Sequence, residues 1–346
     1  MNGAAISLLP RARLADVVRG RAAWVGSRTD PTAARGLFSP IEPRLSLGTL
    51  YDDPVEAERK ALDERRSGFD FALVARIAIA RALGGAPSRR RHARPWIVSS
   101  HVDNVTIPRA LDLIFEAPTT PGQGRFVAFA HPHALNLARF DGVLRGHLAD
   151  ADVVLPDGVG LRVASRVLGT PLVANVNGTD LLPLLCKEAA SRGVRLAFIG
   201  AKEGVARRAA ENLTRAEPGL DVAFVTHGYL DAEATRDALA SVRALGRVVV
   251  LVGMGSPVQE RWCHAARAAC PEATFVTVGG LFDFFSGDMP RAPLAIRELG
   301  LEWAFRLAQE PRRMAKRYLL GNPLFLGLSM WDRISRRPSR TTEARP

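Results

Sequence analysis

This sequence is poor in cysteine, in lysine and in long apolar runs. Its 346 residues include only three cysteines, Cys186, Cys263 and Cys270, an odd number without metal-ligand spacing. We therefore expect reduced, buried thiols rather than the disulfide framework of a small secreted domain. Nowhere do 18 apolar residues follow one another, and no apolar segment follows the first arginines. We accordingly expect neither a membrane-spanning helix nor a signal peptide, and a cytoplasmic protein.

Lysine is scarce although the chain is strongly basic, with a formal net charge of +12. Nearly all of the positive charge is carried by arginine, whose planar guanidinium group can bind a phosphate through two hydrogen bonds. The total charge can be explained equally well by phosphate binding or by a biased genomic composition. A biased composition does not explain why the basic residues cluster. The clusters are formed by Arg89, Arg90, Arg91, Arg94, Arg306, Arg312, Arg313, Lys316, Arg317, Arg333, Arg336 and Arg337.

The chain divides by pattern into three parts. Residues 1–93 have scattered proline, glycine and arginine, which predicts an N-terminal extension that is partly disordered. Within it, residues 69–83 are mostly apolar and predict a helix, either docked on the main domain or lying on a membrane surface. Residues 94–300 alternate between strand-like and helical segments, and residues 301–346 form a basic C-terminal part.

The alternation predicts an α/β fold, a parallel sheet with right-handed crossovers and helices on both faces. Ligands of such sheets bind outside the carboxyl ends of the strands. One long helix is expected around residues 135–148. The predicted strands are 96–98, 125–130, 152–155, 195–199, 221–226, 248–252 and 274–278.

Glycines follow several of these strands. Gly253 and Gly255 come after one apolar run, Gly279 and Gly280 after the next, and Gly200 opens a third turn. Glycine lets backbone N–H groups approach a phosphate, and the start of the following helix adds positive charge. Asp157 also closes a strand, next to Gly158, where it is either an ordinary turn residue or a catalytic carboxylate.

In this order, the segments resemble the blocks of one family. The segments are ADVVLPDGVGL, NGTDLL, LAFIGAKEGVA, LVGMGSPVQE, VGGLFDFFSGDMPRAP and LEWAFRLAQEPRRMAKRYLLGNPLF. They resemble the WecG/TagA/CpsF glycosyltransferases (glycosyltransferase family 26) over about residues 96–326, and residues 1–93 lie outside the resemblance.

The resemblance implies a Rossmann-like core and a C-terminal helical appendage, residues 301–346, that holds the enzyme on the inner face of the cytoplasmic membrane. It implies inverting transfer of a sugar, typically N-acetylmannosamine, from UDP to a polyprenyl-diphosphate-linked saccharide in cell-surface polysaccharide biosynthesis. It also implies that neither a metal nor a cofactor is needed. Homo-oligomerisation is left open.

The resemblance further implies roles for particular residues. Asp157 matches the general base, and Arg306, Arg313 and Arg317 lie in the appendage, where they could bind the acceptor or the diphosphate. Donor or nucleotide contacts are expected at His131, Asn177, Gly200, Gly253, Gly255, Gln259, Glu260, Gly280 and Asp283.

Two departures from the family leave the donor sugar open, as a hexose or an N-acetylhexosamine. Phe129-Ala130-His131 stands where members have T-x-N, and Asn175 and Asn177 precede Gly178 where members have an arginine. The pair His131 and His133 lacks a third ligand nearby, so no metal site is predicted.

Three other classes of function can be compared with the sequence. A nicotinamide-dependent oxidoreductase needs an early dinucleotide fingerprint and an acid about 20 residues later, and the sequence has neither. A nucleic-acid-binding protein would interleave basic and aromatic residues along one surface, whereas here the charges gather near the tail and in a linker, so no nucleic acid is expected. A catalytically altered relative that acts as a binding or scaffold subunit stays open.

Overall fold

The structure is a computed structural model that describes residues 9–47, 54–63, 70–84 and 92–335. The chain forms two compact units, one of residues 1–87 and 292–308 and the other of residues 88–291 and 309–346. The predicted segments 1–93, 94–300 and 301–346 follow chain order, whereas the first unit combines two distant stretches. The division of the chain into domains after residues 93 and 300 therefore stays a prediction.

The first unit is built from short elements around buried carboxylates. Glu42 is 2% exposed and accepts hydrogen bonds from Arg11, Arg28 and Arg81. Two strands pair in parallel beside this cluster. The elements are α1 (Leu14–Val18), β1 (Ala23–Val25), β2 (Gly36–Phe38), α2 (Glu42–Leu47), α3 (Pro54–Asp63), α4 (Phe71–Gly84) and, from later in the chain, α14 (Leu294–Glu298).

The apolar segment predicted at 69–83 forms α4. Leu73, Ile77 and Ala80 recur at helical spacing and are buried, and α4 packs against α2 and α14 within this unit. The described parts of residues 1–93 thus contain helices and strands. The other residues for which partial disorder was predicted lie outside the described ranges. The arginines 89–91, 336 and 337 of the basic clusters also lie outside them.

The second unit contains a six-stranded parallel sheet in the order β6-β5-β10-β9-β7-β8, flanked by helices, and the predicted α/β fold is confirmed. The inner strands β5, β9 and β10 are buried at every residue, as parallel strands covered on both faces require. Its strands are β3 (Trp96–Ile97), β4 (Ser100–His101), β5 (Arg125–Ala130), β6 (Val153–Pro156), β7 (Arg195–Gly200), β8 (Val222–Thr226), β9 (Val248–Gly253) and β10 (Ala273–Thr277).

The helices connect these strands and continue beyond the last one. They are α5 (Ile107–Phe115), α6 (Pro132–Phe140), α7 (Gly142–Ala149), α8 (Val159–Val167), α9 (Gly178–Arg192), α10 (Val205–Ala216), α11 (Ala232–Ala244), α12 (Val258–Ala266) and α13 (Leu281–Phe285). After α14 follow α15 (Glu302–Gln309), α16 (Pro311–Ala315), a π-helical turn (Lys316–Leu320) and α17 (Gly321–Ser335).

Two sequence predictions were wrong in detail. The segment 96–98 is not a strand of the main sheet: β3 and β4 form a small antiparallel hairpin, because Val98 turns the chain with a φ of +57°. The single helix expected at 135–148 is two helices. Asp141 separates them, since its carboxylate accepts hydrogen bonds from the Val143 and Leu144 amides of α7, each at 3.0 Å.

The last helix, α17, packs on α6 and α8 through one face that buries Phe325 and Ser329. Its opposite face leaves Met330, Trp331 and Ile334 exposed. Among the described residues, no helix combines the length and the apolar character needed to cross a membrane.

Candidate active site

The carboxyl ends of the parallel strands meet at one edge of the sheet, and most of the predicted site residues follow them. Ala130 lies beside Pro156, and Gly200 beside Gly253, so neighbouring strands end at the same level. This edge carries His131 after β5, Asp157 after β6, Gly200 at the end of β7, Gly253 and Gly255 at the end of β9 and beyond it, and Gly280 and Asp283 after β10.

The turn at Asp157 is fixed by backbone hydrogen bonds on both sides of the carboxylate. The Asp157 amide donates to the Ala130 carbonyl at 2.8 Å, and the Gly158 amide donates to Oδ1 of Asn175 at 2.7 Å. Gly158 has a φ of +96°, and α8 begins at the next residue. The half-buried Asp157 therefore lies two residues before the first residue of α8.

Asn175 is a positioning residue that sequence reasoning did not include in the site. The sequence presents it only as a replacement for an arginine of the family, without a signal for its bond to Gly158. Nearby, Oδ1 of Asn177 accepts hydrogen bonds from the Thr179 amide at 3.0 Å and the Thr179 hydroxyl at 2.9 Å, and so caps α9. The donor contact predicted for Asn177 stays a prediction.

Arg317 reaches the end of β5 from the π-helical turn. Its Nη2 atom lies 3.4 Å from Nδ1 of His131, which also accepts the Ala134 amide at 3.1 Å. Burial and the charge of Arg317 lower the pKa of His133 to about 4. His133 is therefore neutral near pH 7, and Arg317 provides the positive charge beside these two imidazoles.

Gly200 and Gly253 are required by close contact between strand ends. A Cβ atom on Gly200 would lie 2.5 Å from the Gly253 carbonyl oxygen, and one on Gly253 would lie 2.7 Å from the Gly279 oxygen. Such distances leave no room for a side chain. The phosphate contacts predicted for these glycines stay predictions, since the packing alone explains why glycine is there.

Gln259 joins the loops that follow β9 and β10. It is 2% exposed, and its Oε1 atom accepts the Gly279 amide at 2.9 Å and the Gly255 amide at 3.2 Å. One side chain thus sets the separation of two glycine turns at the carboxyl edge. The contact predicted between Gln259 and the donor stays a prediction. If the donor instead contacts the two loops, Gln259 would still matter, because it holds both of them.

Glu260 is fully buried next to Gln259. Its Oε1 atom accepts hydrogen bonds from the Ser256 hydroxyl at 2.6 Å and from Nε2 of Gln259 at 3.0 Å, while Oε2 has no partner among the described residues. Burial raises the pKa of this carboxyl above its ordinary value. Ser256 was missed at the sequence level, although its spacing of four residues from Glu260 is a usable signal.

We expect Glu260→Gln to stabilise the protein increasingly as the pH rises. The folded pKa lies above the unfolded one, so the stability linked to this proton is present at low pH and is lost as the pH rises through the folded value. Glutamine keeps an oxygen for Ser256 and carries no charge. Thermal unfolding of both proteins between about pH 4 and pH 8 tests this linkage. A difference in Tm that stays constant with pH contradicts it.

The appendage residues lie in different units. Nη1 of Arg313 is 2.9 Å from Oε1 of Glu310 and 3.8 Å from Oδ2 of Asp283, which places α16 near the residues after β10. Arg306 belongs to the first unit, on α15. The acceptor and diphosphate roles of these arginines stay predictions.

The histidines, cysteines and acidic residues of the described ranges can be compared with the geometry of metal sites and disulfides. Over these ranges, no group of three or more His, Cys, Asp or Glu side chains is arranged to hold a metal ion. Cys186, Cys263 and Cys270 are buried and form no disulfide, and burial raises the pKa of all three thiols, that of Cys186 to about 12. The three thiols are thus poor nucleophiles near neutral pH.

The sequence of this chain is similar to those of known glycosyltransferases. The model of the glycosyl transferase WecG/TagA/CpsF family matches residues 95–339. The chain is also similar to the N-acetylglucosaminyldiphosphoundecaprenol N-acetyl-beta-D-mannosaminyltransferase of Bacillus spizizenii, with 32% identity over 228 residues, which cover 64% of this chain and 86% of the relative. The chain is therefore a glycosyltransferase that belongs to the WecG/TagA/CpsF family.

Proposed function

We propose that this enzyme transfers a hexose or an N-acetylhexosamine similar to N-acetylmannosamine from a UDP-sugar to a polyprenyl-diphosphate-linked saccharide. The product would serve cell-surface polysaccharide biosynthesis. The observation that carries the proposal is the family match over residues 95–339, together with the acidic turn at the carboxyl edge of the sheet. The Bacillus relative, by its name, acts on an undecaprenol-diphosphate-linked N-acetylglucosamine.

The proposed chemistry is a single displacement with inversion. The Asp157 carboxylate accepts the proton of an acceptor hydroxyl while that oxygen bonds to the anomeric carbon of the donor. The bond from the anomeric carbon to the UDP oxygen breaks in the same step, and UDP leaves with the electron pair. The turn at Asp157 supports this role because the two backbone amides that border it are already held, by Ala130 and Asn175.

The leaving diphosphate needs positive charge as the bond breaks. Arg317 supports this part of the proposal, since it extends to His131 at the end of β5, the strand next to β6. Arg313 is a second candidate. It lies near Asp283, which follows β10, and β10 is the other neighbour of β5 in the sheet. Guanidinium groups that are already in place can stabilise such developing charge without a metal.

We further propose that the enzyme works as a peripheral protein on the cytoplasmic face of the membrane, where a polyprenyl diphosphate is found. The exposed apolar residues Met330, Trp331 and Ile334 of α17 support this placement, with basic residues earlier in the same C-terminal part. An amphipathic helix of this kind lies in the interface with its apolar face towards the lipid.

The test is transfer from a panel of UDP-sugars to a synthetic polyprenyl-diphosphate-linked N-acetylglucosamine or glucose, with and without EDTA. Mass spectrometry identifies the product, and NMR of the new linkage shows whether the anomeric configuration is inverted. We expect one preferred donor and a rate that chelation leaves unchanged. A rate abolished by EDTA and restored by a divalent cation contradicts metal independence. No product from any donor, in a folded protein, indicates a different acceptor or the altered relative that acts as a binding or scaffold subunit.

A further inference from the structure

One histidine at the carboxyl edge, His133, has no role in the proposed transfer. It lies in the first turn of α6, three residues after Ala130, the last residue of β5. Its side chain is half-buried and makes no hydrogen bond within the described ranges. Neither ring nitrogen is among the buried polar atoms that lack a partner, so both reach solvent. The imidazole can therefore bond to a ligand without giving up a bond to the protein.

The segment that contains His133 packs on the turn of the proposed base. Pro132, the residue before it, lies against α8, because a Cβ atom on Gly160 would be only 2.9 Å from Cγ of Pro132. The end of β5 is joined to the same turn, since the Asp157 amide donates to the Ala130 carbonyl at 2.8 Å. His133 is therefore part of the surroundings of Asp157.

The neighbouring ring, that of His131, has a defined tautomer. Its Nδ1 atom accepts the Ala134 amide at 3.1 Å, and Nη2 of Arg317, which is also a donor, lies 3.4 Å from the same atom. Nδ1 therefore carries no proton, and the proton of the neutral ring is on Nε2. The rings of His131 and His133 are nearly parallel, at 8°, with centroids 6.1 Å apart. Two imidazoles thus lie side by side next to one guanidinium group.

Arg317 is brought to these rings by the packing of the last helix. Nδ2 of Asn136 donates to the Gly321 carbonyl at 2.7 Å, which joins α6 to the first residue of α17. The rest of α17 continues to pack on α6. Arg317 precedes Gly321 by four residues, and its side chain extends to His131 at the start of α6. The position of the guanidinium group is thus fixed by contacts that do not involve a ligand.

Arg317 also determines the charge of His133. Burial and the positive charge of Arg317 hold the pKa of this imidazole at about 4. The titratable groups that face it are Arg317 and His131, and no charged group described on α7, α8 or α17, which also border α6, changes its pKa. An anion bound by Arg317 offsets the guanidinium charge and favours the imidazolium form, so the pKa of His133 should rise when such an anion binds.

We propose that His133, together with Arg317, binds the phosphoryl oxygens of a substrate diphosphate and takes up a proton from solvent as it does so. This inference rests on the proposed function, in which Arg317 stabilises the leaving diphosphate. The imidazole donates an N–H group to a phosphoryl oxygen, and the added proton supplies a second positive charge beside Arg317. Both the donor and the acceptor of the proposed reaction contain a diphosphate, and the experiment distinguishes them.

The experiment is calorimetric titration of the full-length protein with UDP-N-acetylmannosamine in two buffers of different ionisation enthalpy. The dependence of the heat on the buffer gives the number of protons taken up, and the esterified diphosphate of this probe does not titrate near neutral pH. We expect an uptake of about half a proton at about pH 6, and a Kd that falls about threefold from about pH 7.5 to about pH 5.5, because the pKa is higher in the complex. Uridine, which has no phosphate, should cause no uptake.

Two variants of His133 separate hydrogen bonding from proton uptake. His133→Phe keeps a ring and loses both nitrogens, so the Kd of the probe should rise about tenfold, as expected for one lost hydrogen bond to a charged group, and the uptake should disappear. His133→Gln keeps an N–H donor that does not titrate, so its Kd at about pH 7.5 should stay within about threefold of the wild type while the uptake disappears. The matched control His92→Phe removes an exposed histidine that precedes β3, and it should keep both the Kd and the uptake.

Several results would overturn the proposal. Uptake that persists in folded His133→Gln belongs to another group, and a folded His133→Phe variant that binds like the wild type excludes a contact. The same titration with a short-chain, water-soluble polyprenyl-diphosphate-linked N-acetylglucosamine identifies the source of the diphosphate. Uptake with only one of the two substrates assigns the site to that substrate, and uptake with neither overturns the site.

Transfer assays separate this inference from the proposed function. If no donor gives a product but UDP-N-acetylmannosamine binds with an uptake that depends on His133, the proposed transfer fails and the diphosphate site stands. If transfer occurs and neither the Kd nor the uptake depends on His133, the proposed function stands and this inference fails.

Discussion

Asp157→Asn should lower kcat about a thousandfold and change the Kd of the donor by less than about threefold. Asparagine keeps the shape of the side chain, and the bonds that hold the turn come from the backbone amides of Asp157 and Gly158, so the turn should persist. The variant loses the carboxylate that accepts the proton in the proposed mechanism. Steady-state transfer assays and calorimetric titration of the donor measure the two quantities separately.

Asp150→Asn is the matched control. Asp150 is exposed at the end of α7, with a side chain 63% accessible, so the same change of charge and shape occurs away from the carboxyl edge. We expect wild-type kinetics from it. Activity of Asp157→Asn within a few-fold of the control would remove Asp157 from the proton transfer and would reduce it to a turn residue.

Arg317→Gln should lower kcat/KM about a hundredfold, the usual cost of losing one group that stabilises transition-state charge. The side chain lies 3.4 Å from His131, so its removal takes positive charge from the end of β5. The pKa of His133 should rise from about 4, because one of the two causes of its depression is the charge of Arg317. NMR titration of the imidazole measures this shift independently of activity.

Arg312→Gln provides the control for this second variant. Arg312 belongs to the same basic segment, is exposed, and precedes Arg317 by five residues, so the net charge changes equally. We expect it to leave both kcat/KM and the His133 titration unchanged. Equal losses of activity in the two variants would show that the segment contributes only its overall charge, and an unchanged His133 would place Arg317 elsewhere in solution.

The sequence predicts the central sheet well, because β9 is an uninterrupted apolar run and β5 and β10 are mostly apolar, as strands covered on both faces are. It also predicts the ends of β9 and β10 to within one residue, since glycines lie at or just after both ends. The wrong details arise where one residue overrides a periodic pattern. Asp141 splits an apolar helix by capping its second half, and Val98 turns the chain out of a strand.

Contacts between distant residues could not be predicted. Arg317 meets His131 across 186 residues, and Gln259 joins two turns that the sequence presents as separate motifs. The sequence identifies Gln259 and Glu260 as polar residues at the start of a helix, which predicts contact with a ligand. Their burial follows only from how the two loops come together, and a single sequence carries no signal of that packing.

The composition of the first unit has an evolutionary consequence. Residues 292–308 lie within the stretch matched by the family, yet they fold with residues 1–87. The chain therefore crosses between the units three times, after residues 87, 291 and 308. The extension is therefore not an independent domain that is joined to the rest of the chain at a single boundary. Since α14 packs against α2 and α4 of the extension, we expect insertions and losses of the extension among relatives to be accompanied by changes in α14.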